Sequence, residues 1–125
     1  MNLDELKWDE RGLISIIFQD GKTGQVLTLA YMNREALQQT LATGEVWVYR
    51  RSHARVMVKG EKSGRKQLVR EVYVDCDGDA LVMKVEQVGD AACHTGHRTC
   101  FFRRLEGGEL REIEAPLFDP GEVYE

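Results

Sequence analysis

The feature that most constrains the fold of this chain is a series of short apolar runs, rich in β-branched residues and separated by turn-forming segments. Runs of this length and pattern predict β-strands, and the glycine-containing segments between them predict tight turns. The turns at residues 20–24, 77–78 and 107–108 would each connect two neighbouring strands. The predicted strands cover residues 13–18, 25–31, 45–50, 55–58, 67–75, 80–87, 99–105 and 109–113.

One segment has helical periodicity instead. Asn33 can cap a helix that runs to about residue 41, and Gly44 can end it. The predicted inner face consists of Ala36, Leu37, Thr40 and Leu41. Many strands with one main helix predict an α+β fold built mostly on antiparallel β-sheet. The length of 125 residues suits a single domain, 1–125, with a core at about 13–103 and a loosely packed acidic tail from Pro116.

The charge of the chain is unevenly distributed. A net charge of −4 argues against nucleic-acid binding, because phosphate backbones require a basic surface. Residues 50–70 nevertheless contain one acid, Glu61, among many bases. This stretch predicts a local anion site, such as one for phosphate, or is simply a solvated face. Its basic residues are Arg50, Arg51, Arg55, Lys59, Lys62, Arg65, Lys66 and Arg70.

The sequence contains no apolar run of the ~20 residues that would span a membrane, and its first residues are acidic, unlike a signal peptide. We therefore expect a cytoplasmic protein with no membrane partner. In a reducing compartment, the odd number of three cysteines favours metal binding or catalysis over disulfides.

The cysteines at 76, 93 and 100 are candidate zinc ligands, because thiolates bind zinc strongly. Three protein ligands would leave a fourth position for a water molecule, whose pKa zinc can lower toward 7. The alternative is that Cys76, Cys93 and Cys100 are inert and buried, since the chain has no Cys-x-x-Cys pair.

Three carboxylates alternate at Asp75, Asp77 and Asp79. On a strand they would point to one face, where their mutual repulsion favours a cation, and hard oxygen ligands suit Mg²⁺ or Ca²⁺. An EF-hand loop is disfavoured, because Ala80 stands where that loop requires glycine and the flanks are predicted strands. A solvated acidic turn remains the simple alternative.

Reactive side chains are concentrated in residues 92–100, around Gly96. A histidine there could bind metal or transfer protons near neutral pH. We favour His94 because it is adjacent to Cys93, and a structural role is left open for His97.

Taken together, these segments resemble the phosphoribosyl-AMP cyclohydrolase family. The resemblance covers about residues 13–103, in order and with compatible spacing. The stretches that carry it are Leu29-Ala30-Tyr31-Met32-Asn33, Thr43-Gly44-Glu45-Val46, Arg51-Ser52, Lys59-Gly60-Glu61-Lys62-Ser63-Gly64, Asp75-Cys76-Asp77-Gly78-Asp79, Cys93-His94-Thr95-Gly96 and Cys100-Phe101.

The resemblance implies a hydrolase that opens the adenine ring of 1-(5-phosphoribosyl)-AMP at the C6–N1 bond, in histidine biosynthesis. It implies an intertwined homodimer in which Cys76 of one chain joins Cys93 and Cys100 of the other on zinc. It also implies that Mg²⁺ binds to the three aspartates, and His94 is then the candidate that protonates the departing N1. The candidate phosphate-binding residues are Arg50, Arg51, Lys59 and Arg65.

Two positions depart from the family pattern. Arg65 stands where the family usually has histidine, and Met57 stands where it often has tryptophan. If the missing histidine moves a proton, His53 or His97 must replace it. The alternative function is therefore a catalytically impaired, zinc-stapled dimeric nucleotide-binding module. A zinc nucleoside deaminase is disfavoured, because the chain lacks His-x-Glu and Pro-Cys-x-x-Cys. We expect no fused pyrophosphohydrolase domain after residue 125.

Overall fold

The computed structural model describes residues 3–59, 64–89 and 97–117. Within them the chain forms one α-helix, one short 3-10 helix and eight strands, which confirms the predicted α+β class. The 3-10 helix is Leu3–Glu5 and the α-helix, α1, is Arg34–Thr43. The strands are β1 (Ile14–Asp20), β2 (Val26–Met32), β3 (Trp47–Arg50), β4 (Arg55–Val58), β5 (Gln67–Val74), β6 (Ala80–Gln87), β7 (Arg103–Glu106) and β8 (Glu109–Glu112).

The main sheet has four strands in the order β2-β1-β6-β5. The pairs β1–β2 and β5–β6 are antiparallel hairpins of the kind predicted, but β1 and β6 run parallel, from Ser15 opposite Ala80 to Asp20 opposite Val85. The sequence did not predict this parallel pair, because no local signal specifies the pairing of two strands so far apart in the chain.

The core lies against one face of this sheet. Ile14, Ile16 and Phe18 alternate along β1 and are almost fully buried, as expected when every second side chain of a strand faces the core. On β6, Leu81 and Met83 face the same way and are equally buried. The sheet therefore contributes most of the apolar interior.

The helix packs over this core, and both of its ends are capped by the predicted residues. The Asn33 side chain accepts a hydrogen bond from the Ala36 N–H at 2.8 Å, and Gly44 ends the helix in the left-handed conformation with φ of 77°. Thr40 is fully buried and its hydroxyl accepts a hydrogen bond from the Trp47 N–H, which fixes β3 to the helix. Leu41 was expected on the inner face but is 42% exposed. At about 100° per residue it lies roughly 140° from Ala36, at the rim of that face.

Two separate hairpins complete the described structure, β3–β4 and β7–β8. The predicted strand at 99–105 was wrong at its start, because β7 begins only at Arg103. Thr99 instead donates its hydroxyl to the Val26 carbonyl at 2.7 Å, so this segment lies along β2. The acidic tail beyond residue 117 falls outside the described residues. No helix in the described part of the chain is long and apolar enough to cross a membrane.

Candidate metal and substrate site

The three aspartates meet in the turn between β5 and β6. The expectation that they share a strand face was wrong, because β5 ends at Val74 and residues 75–79 turn about Gly78, whose φ is 77°. The turn still brings them together: one oxygen from each of Asp75, Asp77 and Asp79 lies within 4.8 Å of the others. All three side chains are exposed. A compact group of carboxylate oxygens is the ligand chemistry that Mg²⁺ and Ca²⁺ prefer.

Hydrogen bonding within this cluster shifts the pKa values of Asp75 and Asp79 in opposite directions. Desolvation raises the pKa of Asp75, but hydrogen bonds from the side chain and the N–H of Asp79 hold that pKa below its usual range. Hydrogen bonds to Asp75 and Asp77 raise the pKa of Asp79 to about 6. A raised pKa means that the third carboxylate ionises with difficulty beside the other two. A divalent cation would remove that repulsion.

Two of the three candidate zinc ligands lie in the described residues, and neither is in a disulfide bond. Cys76 is exposed in the acidic turn, whereas Cys100 is half-buried beside β2. Cys93 and the proposed proton donor His94 lie outside the described residues.

Cys76 and Cys100 are widely separated across the width of the sheet. The Cys100 N–H donates to the Leu27 carbonyl at 2.6 Å, outside the edge strand β2 and near the end of β1. Cys76 precedes β6, near the start of β1. Three strand spacings of about 4.8 Å separate the two backbones by on the order of 14 Å, before the displacement along the strands is added. Thiolates on one zinc lie only about 4 Å apart, since each Zn–S bond is about 2.3 Å. The two thiols of one chain are therefore too far apart to share a zinc ion.

His97 has a packing environment that supports the structural role left open for it. Its side chain is 7% exposed, and its ring stacks on Phe102 at 3.5 Å between centroids, with an interplanar angle of 6°. Its Nε2 lies 3.0 Å from a carboxylate oxygen of Glu112 on β8. These contacts fasten the segment that carries Cys100 to the β7–β8 hairpin.

The four residues predicted to bind phosphate fall into two groups. Arg50 and Arg51 lie at the tip of the β3–β4 hairpin, where Arg50 pairs across the strands with Arg55. Lys59 lies at the open end of that hairpin, where its N–H donates to the Val46 carbonyl. Four residues of strand separate the two ends by about 13 Å.

The fourth residue of this set, Arg65, lies on the open-end side of the hairpin. It packs against Gly89, where an added Cβ would come within 2.8 Å of the Arg65 Cγ. The open end of the hairpin also adjoins the start of β5, through a bridge between Glu45 and Leu68. The four basic residues of one chain are therefore too widely spread for all of them to bind a single phosphate group.

A cleft of about 220 Å³ lies at the carboxyl ends of the parallel strands β1 and β6, which the sequence did not predict. Lys22 and Arg98 bring positive charge to it, and Asp20 and Glu86 bring negative charge. A hydrogen bond from the Thr23 N–H, with a smaller contribution from the Arg98 charge, holds the pKa of Asp20 below its usual range. Ligand sites often form where parallel strands end, but no sequence signal indicated this cleft, because the β1–β6 pairing on which it depends was not predicted.

Comparison with known proteins identifies the family. The phosphoribosyl-AMP cyclohydrolase family model matches residues 28–102. A phosphoribosyl-AMP cyclohydrolase of Chromobacterium violaceum is 50% identical over 122 residues, which cover 98% of this chain and 92% of that protein. The chain belongs to this family. The cyclohydrolase of Pelotomaculum thermopropionicum is 53% identical over 124 residues, covering 98% of this chain and 95% of that protein.

A longer relative matches over the same length of this chain. The histidine biosynthesis bifunctional protein of Thermoanaerobacter pseudethanolicus is 50% identical over 123 residues, which are 98% of this chain but 56% of that protein. The cyclohydrolase family match at 28–102 spans the acidic turn, all three cysteines and the tip of the β3–β4 hairpin. The predicted resemblance is thus confirmed, while the metal ligands and the proton donor remain predictions.

Proposed function

We propose that this chain hydrolyses the C6–N1 bond of the adenine ring in 1-(5-phosphoribosyl)-AMP, a step of histidine biosynthesis, with Zn²⁺ and Mg²⁺ as cofactors. The observation that carries the reaction is the family match, together with cyclohydrolase relatives about 50% identical over nearly the whole chain. Ribosylation at N1 makes the adenine ring cationic, so its C6 is electrophilic enough for attack by water.

The zinc ligands would come from two copies of the chain, Cys76 from one with Cys93 and Cys100 from the other. This division is supported by the separation within one chain, where Cys76 lies in the β5–β6 turn and Cys100 lies outside the edge strand β2. Three thiolates fit zinc and leave one coordination position open. When bound, zinc lowers the pKa of a coordinated water toward 7, which supplies a nucleophile at neutral pH. Because thiol ligands persist best in a reducing compartment, we place the enzyme in the cytosol.

A homodimer is further supported by the β7–β8 hairpin. Leu105 and Leu110 lie opposite one another across its strands and are 70% and 65% exposed. A two-stranded hairpin is marginally stable alone in water. A second copy that covered the two leucines would stabilise both the hairpin and the adjoining segment with Cys100.

The acidic turn would bind Mg²⁺ through Asp75, Asp77 and Asp79. The fit rests on the donor set, three carboxylates whose oxygens lie within 4.8 Å of one another on a single chain. Cys76 belongs to the same turn, so the residues that would hold Mg²⁺ are neighbours in sequence of one proposed zinc ligand.

The remaining roles belong to the side chains that contact the nucleotide. His94 would donate a proton to N1 as the C6–N1 bond breaks. Arg50 and Arg51 at the hairpin tip, or Lys59 and Arg65 at its open end, would bind a substrate phosphate through charge-assisted hydrogen bonds. No carboxylate neutralises Arg50 or Arg51 within the described residues, which leaves both guanidinium groups available to an anion.

Incubating the purified protein with phosphoribosyl-AMP, Zn²⁺ and Mg²⁺ tests this proposal, with absorbance following ring opening. We expect turnover in the wild type, and loss of both zinc and turnover in Cys93→Ser. His94→Gln should lose turnover while it keeps zinc. His53→Gln tests the alternative proton donor and should keep turnover; the reverse pattern would assign the proton transfer to His53. A protein that binds zinc and nucleotide without turnover would instead be the impaired binding module.

A further inference from the structure

We propose that Tyr31 is a positioning residue, whose ring holds the guanidinium of Arg51 in place to bind a phosphate of the substrate. The Arg51 Cζ lies 4.2 Å from the centroid of the Tyr31 ring. This is well within the distance of about 6 Å at which a cation is attracted to an aromatic face. The inference rests on the proposed function, because it assigns a partner to one of the candidate phosphate ligands.

Tyr31 belongs to a rigid part of the fold. It pairs with Ser15 on the central strand β1, and its neighbour Met32 is fully buried. Asn33, two residues on, caps α1. The backbone of Tyr31 is therefore fixed between the sheet and the start of the helix, and its side chain is half-buried. Its hydroxyl makes no hydrogen bond within the described residues, so only the ring face has an assigned contact.

Arg51, by contrast, has an exposed side chain on a tight turn, in which the His53 N–H donates to the Arg50 carbonyl. Residues 51–54 connect β3 and β4, and their side chains are exposed. The turn includes Ala54 at φ of 50°, a conformation that disfavours residues with a Cβ. A long arginine side chain loses much rotamer freedom when a ligand fixes it. The ring contact would remove part of that entropic cost before the phosphate arrives.

The stacked arrangement also suits the chemistry of a phosphate. A guanidinium that lies over a ring keeps its N–H donors in its own plane, where two of them can bind two phosphate oxygens. Arg50 adds a second positive charge and lies directly opposite Arg55 on β4. The hairpin tip therefore presents two guanidinium groups, those of Arg50 and Arg51, and the Tyr31 ring orients the second of them.

Steady-state kinetics on phosphoribosyl-AMP separates positioning from a general loss of structure. Tyr31→Leu should raise KM about fivefold, or about 1 kcal/mol of substrate binding, with kcat nearly unchanged. Tyr31→Phe, which keeps the ring, should restore KM to near the wild-type value. Tyr73→Leu is the matched control, because Tyr73 also has a cation, the Lys84 ammonium, 5.5 Å from its ring but lies on β5. It should leave KM unchanged.

A double-mutant cycle and NMR make the assignment specific to Arg51. In an Arg51→Ala background, Tyr31→Leu should have little further effect on KM, because the group that it positions is gone. The Arg51 Nε–H resonance should show a ring-current shift that is kept in Tyr31→Phe and lost in Tyr31→Leu.

Arg51→Lys, which leaves the strand intact, covers the case in which Tyr31→Leu does not fold. This variant should raise KM by a similar factor, because an ammonium lacks the planar fork. Wild-type turnover with an unchanged KM in Tyr31→Leu, or additive effects in the cycle, would overturn the inference alone. A wild type that does not turn over the substrate would overturn the proposed function as well.

Discussion

The four-stranded sheet with α1 and the β7–β8 hairpin both contain antiparallel strands joined by a glycine-containing turn, but they bury very different amounts of apolar surface. In the sheet, Phe18 on β1 is fully buried, whereas Leu105 and Leu110 of the hairpin are 70% and 65% exposed. Each strand of the hairpin carries one leucine between charged residues, whereas β1 is mostly apolar. The comparison shows that short strands around a glycine-containing turn specify a hairpin but do not specify what covers its leucines.

The difference has an energetic consequence. Burying a leucine side chain contributes about 1.5 to 3 kcal/mol, so two exposed leucines leave a substantial contribution unused. The sheet and helix enclose a buried core of their own, so their stability should depend less on a partner. The hairpin has no buried core of its own, and the proposed second copy of the chain would cover its leucines. The two regions should therefore respond differently to mutation and to protein concentration.

The largest effect is expected in the sheet. Phe18→Ala removes a fully buried ring from the central strand and should lower the free energy of unfolding by about 3 to 5 kcal/mol. Chemical denaturation at one fixed protein concentration measures this loss. A loss below about 1 kcal/mol would mean that the sheet does not hold the main core.

The hairpin should respond through association instead. Replacing both Leu105 and Leu110 by serine should raise the dimer dissociation constant at least tenfold, or about 1.4 kcal/mol, as measured by sedimentation. Leu41→Ser is the matched control, because Leu41 is also exposed but lies on α1. If the hairpin stays uncovered in solution, the double variant should change stability by less than about 0.5 kcal/mol and leave association unchanged.

The acidic turn belongs to the four-stranded sheet, so its cation site should not depend on the β7–β8 hairpin. Asp77→Asn should weaken Mg²⁺ binding about tenfold in calorimetry, because it removes one charged ligand with little change in shape. Its zinc content should stay near that of the wild type. Glu10→Gln, an exposed acid outside the cluster, is the control. Unchanged Mg²⁺ dependence in Asp77→Asn would leave the aspartates as a solvated acidic turn.

The smallest effect concerns the start of the helix. Asn33→Ala removes the side chain that accepts the Ala36 N–H and should cost about 1 kcal/mol in thermal unfolding. Gln38→Ala, at an exposed position of the same helix, should have no destabilising effect, since alanine is the best helix former. Equal stability of the two variants would show that the cap does not stabilise this region.

Features set by neighbouring residues could be predicted from the sequence, and features set by distant contacts could not. The strands and the caps of α1 depend on local patterns, and the gathering of Asp75, Asp77 and Asp79 follows from their closeness in sequence. The parallel pairing of β1 with β6 needs residues about 65 positions apart to meet, as Ser15 and Ala80 do. For the same reason no local signal indicated that Arg51 would lie over Tyr31, or that Cys100 would lie beside β2.

The central claim, a zinc site shared between two copies, is tested most directly by mixing two inactive variants. Cys76→Ser and Cys100→Ser should each lack activity alone. When they are coexpressed, half of the dimers should be hybrids with one intact site out of two, so activity should recover to about a quarter of the wild-type value. Cys93→Ser with Cys100→Ser should stay inactive, because both altered ligands then belong to the same half of each site. A Cys76→Ser and Cys100→Ser mixture that also stays inactive, although hybrid dimers form, would contradict the shared site.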